Sequence, residues 1–419
     1  MKKSALSQLA RRTDEPAISW LMKLTLDHPK IVSLAAGFTD NASLPLAEAQ
    51  EVLQDLLASC AGRPALQYGS TAGDPVLREL TAARVQNADG HRDTRVHDSA
   101  RTIITGGSQQ LLYMTTEALC DVGDIVLVED PTYFVFLGIM QSHGLRTRGL
   151  RMEHDGIDLA HLEQVLAELK RAGELPRLKM LYLVSYFQNP TGRTTSFAKK
   201  RAALELLKTF EGAAGHPIYL LEDAAYRELR FSGDDEPSAL ATAFPDRVLY
   251  AGTYSKPFAS GARVGFGILP AELFQAVVRI KGNHDFGTSN LLQQLLARAL
   301  ASGAYAKHLP VLRARYAAKA ARMTNAIREH FPSEVQWAEP HGGLYVWAQA
   351  PRHMRTGVKS KLFQTALKRG VLYVPGGLCY GDDPARRKPN HEMRLSFGGA
   401  KDADIPLGIE RLGRVLRAF

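Results

Sequence analysis

Residues 101–133, RTIITGGSQQLLYMTTEALCDVGDIVLVEDPTY, predict two strands joined by a helix. A short apolar run leads to a glycine turn, an amphipathic stretch follows, and a second apolar run ends at acidic residues. A similar apolar run that ends in polar residues recurs in residues 178–196, LKMLYLVSYFQNPTGRTTS, and in residues 216–231, HPIYLLEDAAYRELRF. Nearly continuous apolar runs separated by helices are typical of a mostly parallel sheet that helices cover on both faces. We therefore predict an α/β fold.

The sequence predicts three divisions of the chain. Residues 46–302 carry the alternation of strands and helices and predict a large domain. Residues 303–419 begin with a long helix that ends near His330, continue with the alternating strands of a smaller antiparallel sheet, and close with a helix. We expect residues 1–45 to form an N-terminal arm with a helix that packs on the small domain and the substrate site. The first forty residues read as irregular, with one strand in IVSLAAGFTD at 31–40.

The composition excludes several classes of protein. The 419 residues suffice for one large domain and one smaller one, and 45% hydrophobic with 23% charged residues is typical of a soluble globular protein. No apolar run approaches the roughly 18 to 20 residues of a membrane helix, and the N-terminus lacks the apolar stretch of a secretory signal. Three widely spaced cysteines argue against a disulfide or zinc framework. We expect a cytoplasmic protein without a membrane partner or a metal site.

The net charge of +9 raises the question of nucleic-acid binding. The basic residues are spread along the chain, and acidic residues lie among most of them. This distribution favours an enzyme that attracts anionic ligands over a protein that binds nucleic acid.

Polar residues follow nearly every predicted strand. Ligands of parallel α/β sheets bind at the carboxyl ends of the strands, so these residues are candidates for a binding site. In chain order they are Gly106, Gly107, Ser108, Gln109, Tyr133, Asn189, Asp223, Tyr226, Lys256 and Arg263.

The turn in ITGGSQQLL, residues 104–112, has two interpretations. The free N–H groups at the start of the following helix suit a phosphate, but an ordinary turn capped by Ser108 explains the same residues. The dinucleotide fingerprint and the P-loop are absent, as are the HExxH and GxSxG motifs. GLCYG at 377–381 imitates a thiol nucleophile elbow, but no helix is predicted after it.

Residues 249–268, LYAGTYSKPFASGARVGFGI, place four polar side chains within eleven residues: Thr253, Ser255, Lys256 and Arg263. A pocket near Arg263 disfavours the ammonium form of Lys256 and leaves an amine that can bond to an aldehyde. Arg263 and the two hydroxyls can hold a phosphate.

Asp223 ends a buried run and therefore needs a partner, either the neighbouring Arg227 or a cationic ring nitrogen. Pyridoxal 5′-phosphate requires a lysine, an acid for its ring nitrogen and donors for its phosphate. We therefore predict this cofactor.

Three segments in this order resemble one family: SYFQNPTG at 185–192, LLEDAAYRE at 220–228 and GTYSKPFASGARVGF at 252–266. They resemble the fold-type-I aminotransferases of classes I and II, especially the α-aminoadipate and kynurenine aminotransferases. The aminotransferase-like domain of some transcription regulators is also related. The resemblance covers about residues 15–417 and implies a large domain with a mostly parallel seven-stranded sheet between helices. It also implies a smaller α+β domain completed by the N-terminal segment, and a homodimer.

The resemblance implies roles for residues around the cofactor. Lys256 resembles the lysine that bonds to the cofactor, and Asp223 resembles the partner of the ring nitrogen. Tyr226 and Asn189 resemble the donors to the ring oxygen, and Tyr133 the aromatic residue that stacks on the ring. The residues that resemble the phosphate ligands are Gly107, Ser108, Gln109, Thr253, Ser255 and Arg263.

The resemblance also implies residues that contact the substrate or a second subunit. Arg394, in MRLSF, resembles the arginine that holds the substrate α-carboxylate. Gly37 and Asn189 are expected to contact the substrate as well. Tyr68, in LQYGSTAGDPVLREL, resembles the tyrosine that reaches the phosphate of the neighbouring subunit.

One departure bears on the substrate. Relatives that bind a second, distal carboxylate tend to carry an arginine on an N-terminal helix, where AISWLMKLT, residues 17–25, has Ser19 and Trp20. A buried carboxylate without a partner costs several kcal/mol, so a dicarboxylic substrate is disfavoured unless another arginine substitutes. Trp20 and Phe38 suggest a pocket for an apolar or aromatic side chain.

We predict an aminotransferase that exchanges an amino group between an L-amino acid and a 2-oxo acid by a ping-pong mechanism. A lyase, decarboxylase or racemase could use the same cofactor residues. Arg394 favours transamination because a carboxylate that it holds in the ring plane is a poor leaving group. The non-enzymatic alternative is a ligand-sensing regulator module with the same fold. Such regulators carry a winged-helix domain ahead of the aminotransferase-like part, whereas about fifteen residues precede the resemblance here.

Overall fold

The computed structural model describes residues 5–90 and 96–419. Its strands are β1 (Val32–Ser33), β2 (Thr102–Thr105), β3 (Ile125–Asp130), β4 (Arg146–Glu153), β5 (Gly156–Ile157), β6 (Leu178–Val184), β7 (Tyr219–Asp223), β8 (Val248–Thr253), β9 (Gly265–Ile268), β10 (Gln336–Trp337), β11 (Tyr345–Gln349), β12 (Val371–Leu372), β13 (Val374–Pro375) and β14 (Glu392–Ser396). Its α-helices are α1 (Gln8–Arg12), α2 (Ala17–Asp27), α3 (Leu46–Ala58), α4 (Gly62–Ala65), α5 (Pro75–Ala88), α6 (Ser108–Leu119), α7 (Phe134–His143), α8 (Leu159–Arg171), α9 (Phe197–Ala214), α10 (Ala271–His284), α11 (Asn290–Ala301), α12 (Ala304–His330), α13 (Lys361–Lys368) and α14 (Asp404–Leu416).

The large sheet has the strand order β2-β9-β8-β7-β6-β3-β4-β5. Strands β4, β3, β6, β7 and β8 pair in parallel, whereas β9 runs antiparallel to both β8 and β2. The sheet therefore has eight strands within the described residues, not the predicted seven. The additional strand, β5, is two residues long and pairs antiparallel with β4 after a tight turn. So short a strand leaves no periodic pattern in the sequence.

The main core lies on both faces of this sheet. The strand residues Val128, Leu181, Leu221 and Leu249 are all 0% exposed. Burial on both faces explains why these strands read as continuous apolar runs rather than as an alternation. The predicted mostly parallel α/β sheet is confirmed.

A second core surrounds the smaller antiparallel sheet, which has the order β10-β11-β14-β13. Leu21, Val32 and Leu34 of the N-terminal segment are buried in this core, and β1 pairs in parallel with β12. The N-terminal segment thus completes the small α+β unit, as predicted.

The first forty residues are less irregular than expected, because the N-terminal helix of the prediction, α2, spans eleven of them. Its apolar residues Ala17, Ile18, Leu21 and Leu24 recur at helical spacing and pack on the second core. The long helix α12, by contrast, ends at His330 as the sequence predicts. Among the helices of the described residues, none combines the length and the apolar character that a bilayer crossing demands.

Candidate active site

The carboxyl ends of the parallel strands border a cavity of about 400 Å³. Ser108 follows β2, Tyr133 follows β3 and Asn189 follows β6, while Asp223 ends β7 and Lys256 follows β8. The sequence-predicted residues that line the cavity are Gly37, Ser108, Gln109, Tyr133, Asn189, Asp223, Tyr226, Thr253, Ser255, Lys256, Arg263 and Arg394. Segments that are far apart in the sequence therefore meet at one edge of the sheet.

Lys256 presents its amine to this cavity. Its Nζ atom donates a hydrogen bond to the carbonyl oxygen of Gly37 at 2.8 Å. Burial, together with the positive charges of Arg394 and Arg263, lowers the pKa of Lys256 to about 8. At neutral pH the protonated form still predominates, but far more of the amine is neutral than in an ordinary lysine, and the neutral form is the nucleophile.

Asp223 is a buried acid that faces the cavity without a cation beside it among the described residues. It accepts hydrogen bonds from the hydroxyl of Tyr182 at 2.9 Å and from the N–H of Ala225 at 3.1 Å. Burial raises the pKa of Asp223 to about 6, although the Tyr182 hydrogen bond opposes the shift. The alternative that Arg227 is its partner is wrong, because Arg227 pairs with Asp89 at 2.7 Å and with Asp235 at 3.1 Å.

Several hydrogen-bond donors converge at the start of α6. Gly107, not Ser108, occupies the cap position, so the alternative of a serine cap is wrong. A Cβ atom at residue 107 would lie 2.7 Å from Nη2 of Arg263. Arg263 adopts the left-handed conformation with φ +50°, and its Nη1 donates to Oγ of Ser255 at 3.4 Å. Thr253 accepts from the N–H of Ser255 at 3.0 Å. A helix N-terminus, a guanidinium and hydroxyls at one place suit a phosphate.

Arg394 lies on β14 at the far side of the cavity and is 1% exposed. Its Nη1 donates to Oδ1 of Asn189 at 2.8 Å, and its Nη2 donates to the carbonyl oxygen of Ala35 at 2.6 Å. Its Nε is buried without a hydrogen-bond partner among the described residues. A buried arginine without an acidic partner suits a carboxylate ligand.

Tyr345, which the sequence analysis missed, lies between Arg394 and Tyr226. Its hydroxyl is 3.0 Å from that of Tyr226 and 3.4 Å from Nδ2 of Asn189. Its ring lies 4.4 Å from the guanidinium carbon of Arg394. Tyr345 begins β11 of the small sheet, and the only sequence signal for it was the glycine pair that precedes it.

Two predicted side chains lie outside the cavity, and Gly107 is not part of its lining either. Trp20 packs against Phe363 in the second core, and Ile18 takes its place in the cavity wall. Residues two positions apart on a helix point in nearly opposite directions, so Ile18 and Trp20 cannot both face the cavity. Tyr68 is 82% exposed and contacts Phe286 edge to face.

The thiol elbow that GLCYG imitates does not form. Cys379 is 0% exposed, and burial raises its pKa to about 12. Such a thiol stays protonated and is a poor nucleophile.

The cavity residues fit pyridoxal phosphate on their own geometry. Lys256 supplies an amine whose pKa is lowered, Asp223 supplies a buried acid open to a cationic ring nitrogen, and the start of α6 supplies phosphate donors. The unpartnered Nε of Arg394 adds a site for the carboxylate of an amino acid.

The sequence profile of the family described as aminotransferase class I and II matches residues 29–412. The chain belongs to this family. This aminotransferase is 33% identical to the 2-aminoadipate transaminase of Thermus thermophilus over 99% of its own length and 97% of the relative. It is 30% identical to aromatic-amino-acid aminotransferase 1 of Thermococcus litoralis, over 95% of its own length and 90% of that protein.

The aminotransferase also resembles solved structures. One is a kynurenine aminotransferase of Pyrococcus horikoshii in complex with PMP, with a TM-score of 0.88 and 30% identity, covering 99% of this chain and 97% of the other. The fold is that of the fold-type-I enzymes that use pyridoxal phosphate, and the aminotransferase is a transaminase that uses this cofactor. The relatives support transamination and not the lyase or decarboxylase alternative.

Proposed function

We propose that this aminotransferase takes the amino group from an L-amino acid with an apolar or aromatic side chain and passes it to a 2-oxo acid. The observation that supports this most strongly is the position of Lys256, Asp223 and Arg394 around one cavity whose outer wall is apolar. Pyridoxal phosphate bound there supplies an aldehyde carbon and a ring that accepts electrons.

In this proposal the donors at the start of α6 anchor the cofactor. The N–H groups of the first turn, the hydroxyls of Thr253 and Ser255 and the guanidinium of Arg263 bind its phosphate. Asp223 binds the ring nitrogen, because this buried carboxylate accepts only from uncharged donors among the described residues and lacks a cation. Tyr133 covers one face of the ring, and Asn189 and Tyr226 donate to the ring oxygen.

Arg394 and Lys256 act on the substrate. Arg394 binds the α-carboxylate through the edge of the guanidinium that carries the unpartnered Nε. This fixes the Cα–H bond toward Lys256. The Nζ atom of Lys256 would then take the proton from Cα as general base and return it as general acid.

The proposed substrate class is supported by what lines the cavity. Ile18, Phe38, Phe134 and Val135 form apolar walls, and the cationic lining residues Lys256, Arg263 and Arg394 have the roles just described. Ser19, where relatives that bind a second, distal carboxylate tend to carry an arginine, is exposed on α2. A second carboxylate would therefore lose its hydration without gaining a cation.

A panel of donors tests the proposal. Protein loaded with pyridoxal phosphate is given L-phenylalanine, L-leucine or L-2-aminoadipate with 2-oxoglutarate, and the amino products are measured by chromatography. We expect kcat/KM for the best apolar donor to exceed that for 2-aminoadipate by at least about tenfold, the effect of about 1.4 kcal/mol. Preference for 2-aminoadipate would refute the substrate class, while loss of all turnover in Lys256→Ala supports the role of the lysine.

We also propose that the protein is a cytoplasmic homodimer in which Tyr68 of each copy reaches the phosphate donors of the other. Tyr68 is 82% exposed, and the nearby Phe286 and Leu66 are 57% and 69% exposed. An exposed apolar patch of this kind often marks an interface between proteins. The divisions at residues 1–45, 46–302 and 303–419 remain our proposal for the domains, and we expect no nucleic-acid or membrane partner. Sedimentation of the wild type and of Tyr68→Asp tests the dimer.

A further inference from the structure

We propose that Tyr345 is a positioning residue that fixes the direction of the hydroxyl proton of Tyr226. Tyr345 stands in a hydrogen-bonded series that runs from Arg394 through Asn189 and Tyr345 to Tyr226. The inference rests on the proposed function, because Tyr226 is taken to donate to the ring oxygen of the cofactor.

The first group of the series, the guanidinium of Arg394, can act only as a hydrogen-bond donor. A guanidinium carries only donors, so the contact of Arg394 Nη1 with Asn189 at 2.8 Å identifies the contacted atom as the amide oxygen. The amide nitrogen of Asn189 must then face the two tyrosines, 3.4 Å from the hydroxyl of Tyr345 and 3.5 Å from that of Tyr226. The amide has two N–H protons, so one can go to these hydroxyls while the other remains for the ring oxygen of the cofactor.

Tyr345 meets the hydroxyl of Tyr226, and either oxygen could be the donor in that contact. Its hydroxyl lies 3.0 Å from the oxygen of Tyr226, its residue is 2% exposed, and a Cβ atom at Gly37 would lie 2.5 Å from the hydroxyl oxygen. Under the proposed function Tyr226 gives its one proton to the ring oxygen of the cofactor, so its oxygen must be the acceptor in this contact. Tyr345 donates to Tyr226.

The direction of this bond decides what Tyr226 can do. A hydroxyl has one proton and two acceptor sites. With the oxygen of Tyr226 accepting from Tyr345, its own proton points into the cavity. Accepting a hydrogen bond also makes a hydroxyl a stronger donor, because successive hydrogen bonds polarise one another. Tyr226 is thus held as a donor to a negatively charged oxygen.

Tyr345→Phe removes the hydroxyl and keeps the ring beneath Arg394. The pH midpoint of the visible absorbance change of the cofactor-loaded protein is the main measurement. A weaker bond from Tyr226 stabilises the negative oxygen less, so the cofactor keeps its proton to higher pH. We expect the midpoint to rise by about half to one pH unit, the size of one hydrogen bond, and kcat to fall several-fold with KM for the donor little changed.

Tyr373→Phe is the matched control. Tyr373 is 0% exposed in the small domain, and its hydroxyl donates to the carbonyl oxygen of Thr356 at 2.9 Å, away from the cavity. We expect its midpoint to equal that of the wild type. A wild-type midpoint in Tyr345→Phe would overturn the inference, whereas a wild type without a visible band or transaminase activity would overturn the proposed function instead.

A second measurement needs no cofactor. The unfolding free energies of Tyr345→Phe, Tyr226→Phe and the double variant, all without cofactor, form a double-mutant cycle. We expect the sum of the losses in unfolding free energy of the two single variants to exceed the loss in the double variant, because each single substitution removes the same hydrogen bond. Additive losses would show that the two hydroxyls do not interact and would contradict the direct contact.

Discussion

Two adjacent acids on β7 have opposite environments. Glu222 lies on one face of the sheet, 2.9 Å from the buried amine of Lys200, and also accepts from the N–H of Ala239 at 2.7 Å. Asp223 lies on the other face and receives only uncharged donors among the described residues. Successive strand residues point to opposite faces, so one step along the chain separates a closed ion pair from an open acid.

The lysines of the two faces differ in the same way. Lys200 is fully buried over the ring of Tyr186 and beside Glu222, whereas Lys256 contacts the neutral carbonyl of Gly37. On the first face charges neutralise each other and stabilise the fold. On the second face, Asp223 and Lys256 contact only uncharged groups among the described residues, so both can still pair with a ligand. Reactivity therefore follows from missing partners rather than from residue type.

The largest expected effect is on stability, from Lys200→Met. Removing one member of a fully buried pair leaves Glu222 uncompensated, and we expect the free energy of unfolding to fall by about 3–5 kcal/mol. Denaturant titration measures the loss, and the double variant Lys200→Met with Glu222→Gln should recover part of it. Cofactor absorbance and kcat per folded molecule should stay at the wild-type level. A changed cofactor spectrum would show that the two faces are not independent.

Asp223→Asn should instead reduce catalysis. Loss of one preorganised charge in an active site lowers kcat by about 100- to 1,000-fold, since the ring nitrogen loses the anion that keeps it protonated. Stopped-flow measurement of one half-reaction with a fixed donor gives the rate directly. Stability should change little, because the amide still accepts from Tyr182. A variant with a nearly normal rate would remove Asp223 from the proposed mechanism.

The smallest effect concerns pH. With the pKa of Lys256 lowered to about 8, its amine is mostly protonated below that pH and cannot attack an aldehyde. The rate of pyridoxal phosphate uptake by cofactor-free protein should rise by about tenfold per pH unit below pH 8 and level off above it. Absorbance after rapid mixing measures the rate. A rate that stays constant between pH 6 and 9 would contradict the assigned role of the neutral amine.

The residues that the sequence predicted share one property: they follow apolar runs of the large sheet. Parallel strands place such residues at one edge whatever the details of packing, which is why Lys256 and Asp223 could be named from the sequence. Arg394 required the resemblance, because it belongs to the other sheet.

What the sequence could not predict depends on how separate units pack. Tyr345 enters the cavity from β11, and the choice of Ile18 over Trp20 depends on which face of α2 meets the second core. Neither is encoded by a local pattern. Strand β5 was not predicted for a different reason: its two residues are too few to show an alternating pattern in the sequence.

The contact between Lys256 and Gly37 involves a main-chain atom. No amino-acid exchange at position 37 can delete that oxygen, and any side chain there would collide with the hydroxyl of Tyr345. A substitution can therefore alter this hydrogen bond only by moving the backbone around residue 37. That segment is held to the small sheet by the hydrogen bond from the N–H of Ser396 to the carbonyl oxygen of Leu34 at 2.7 Å.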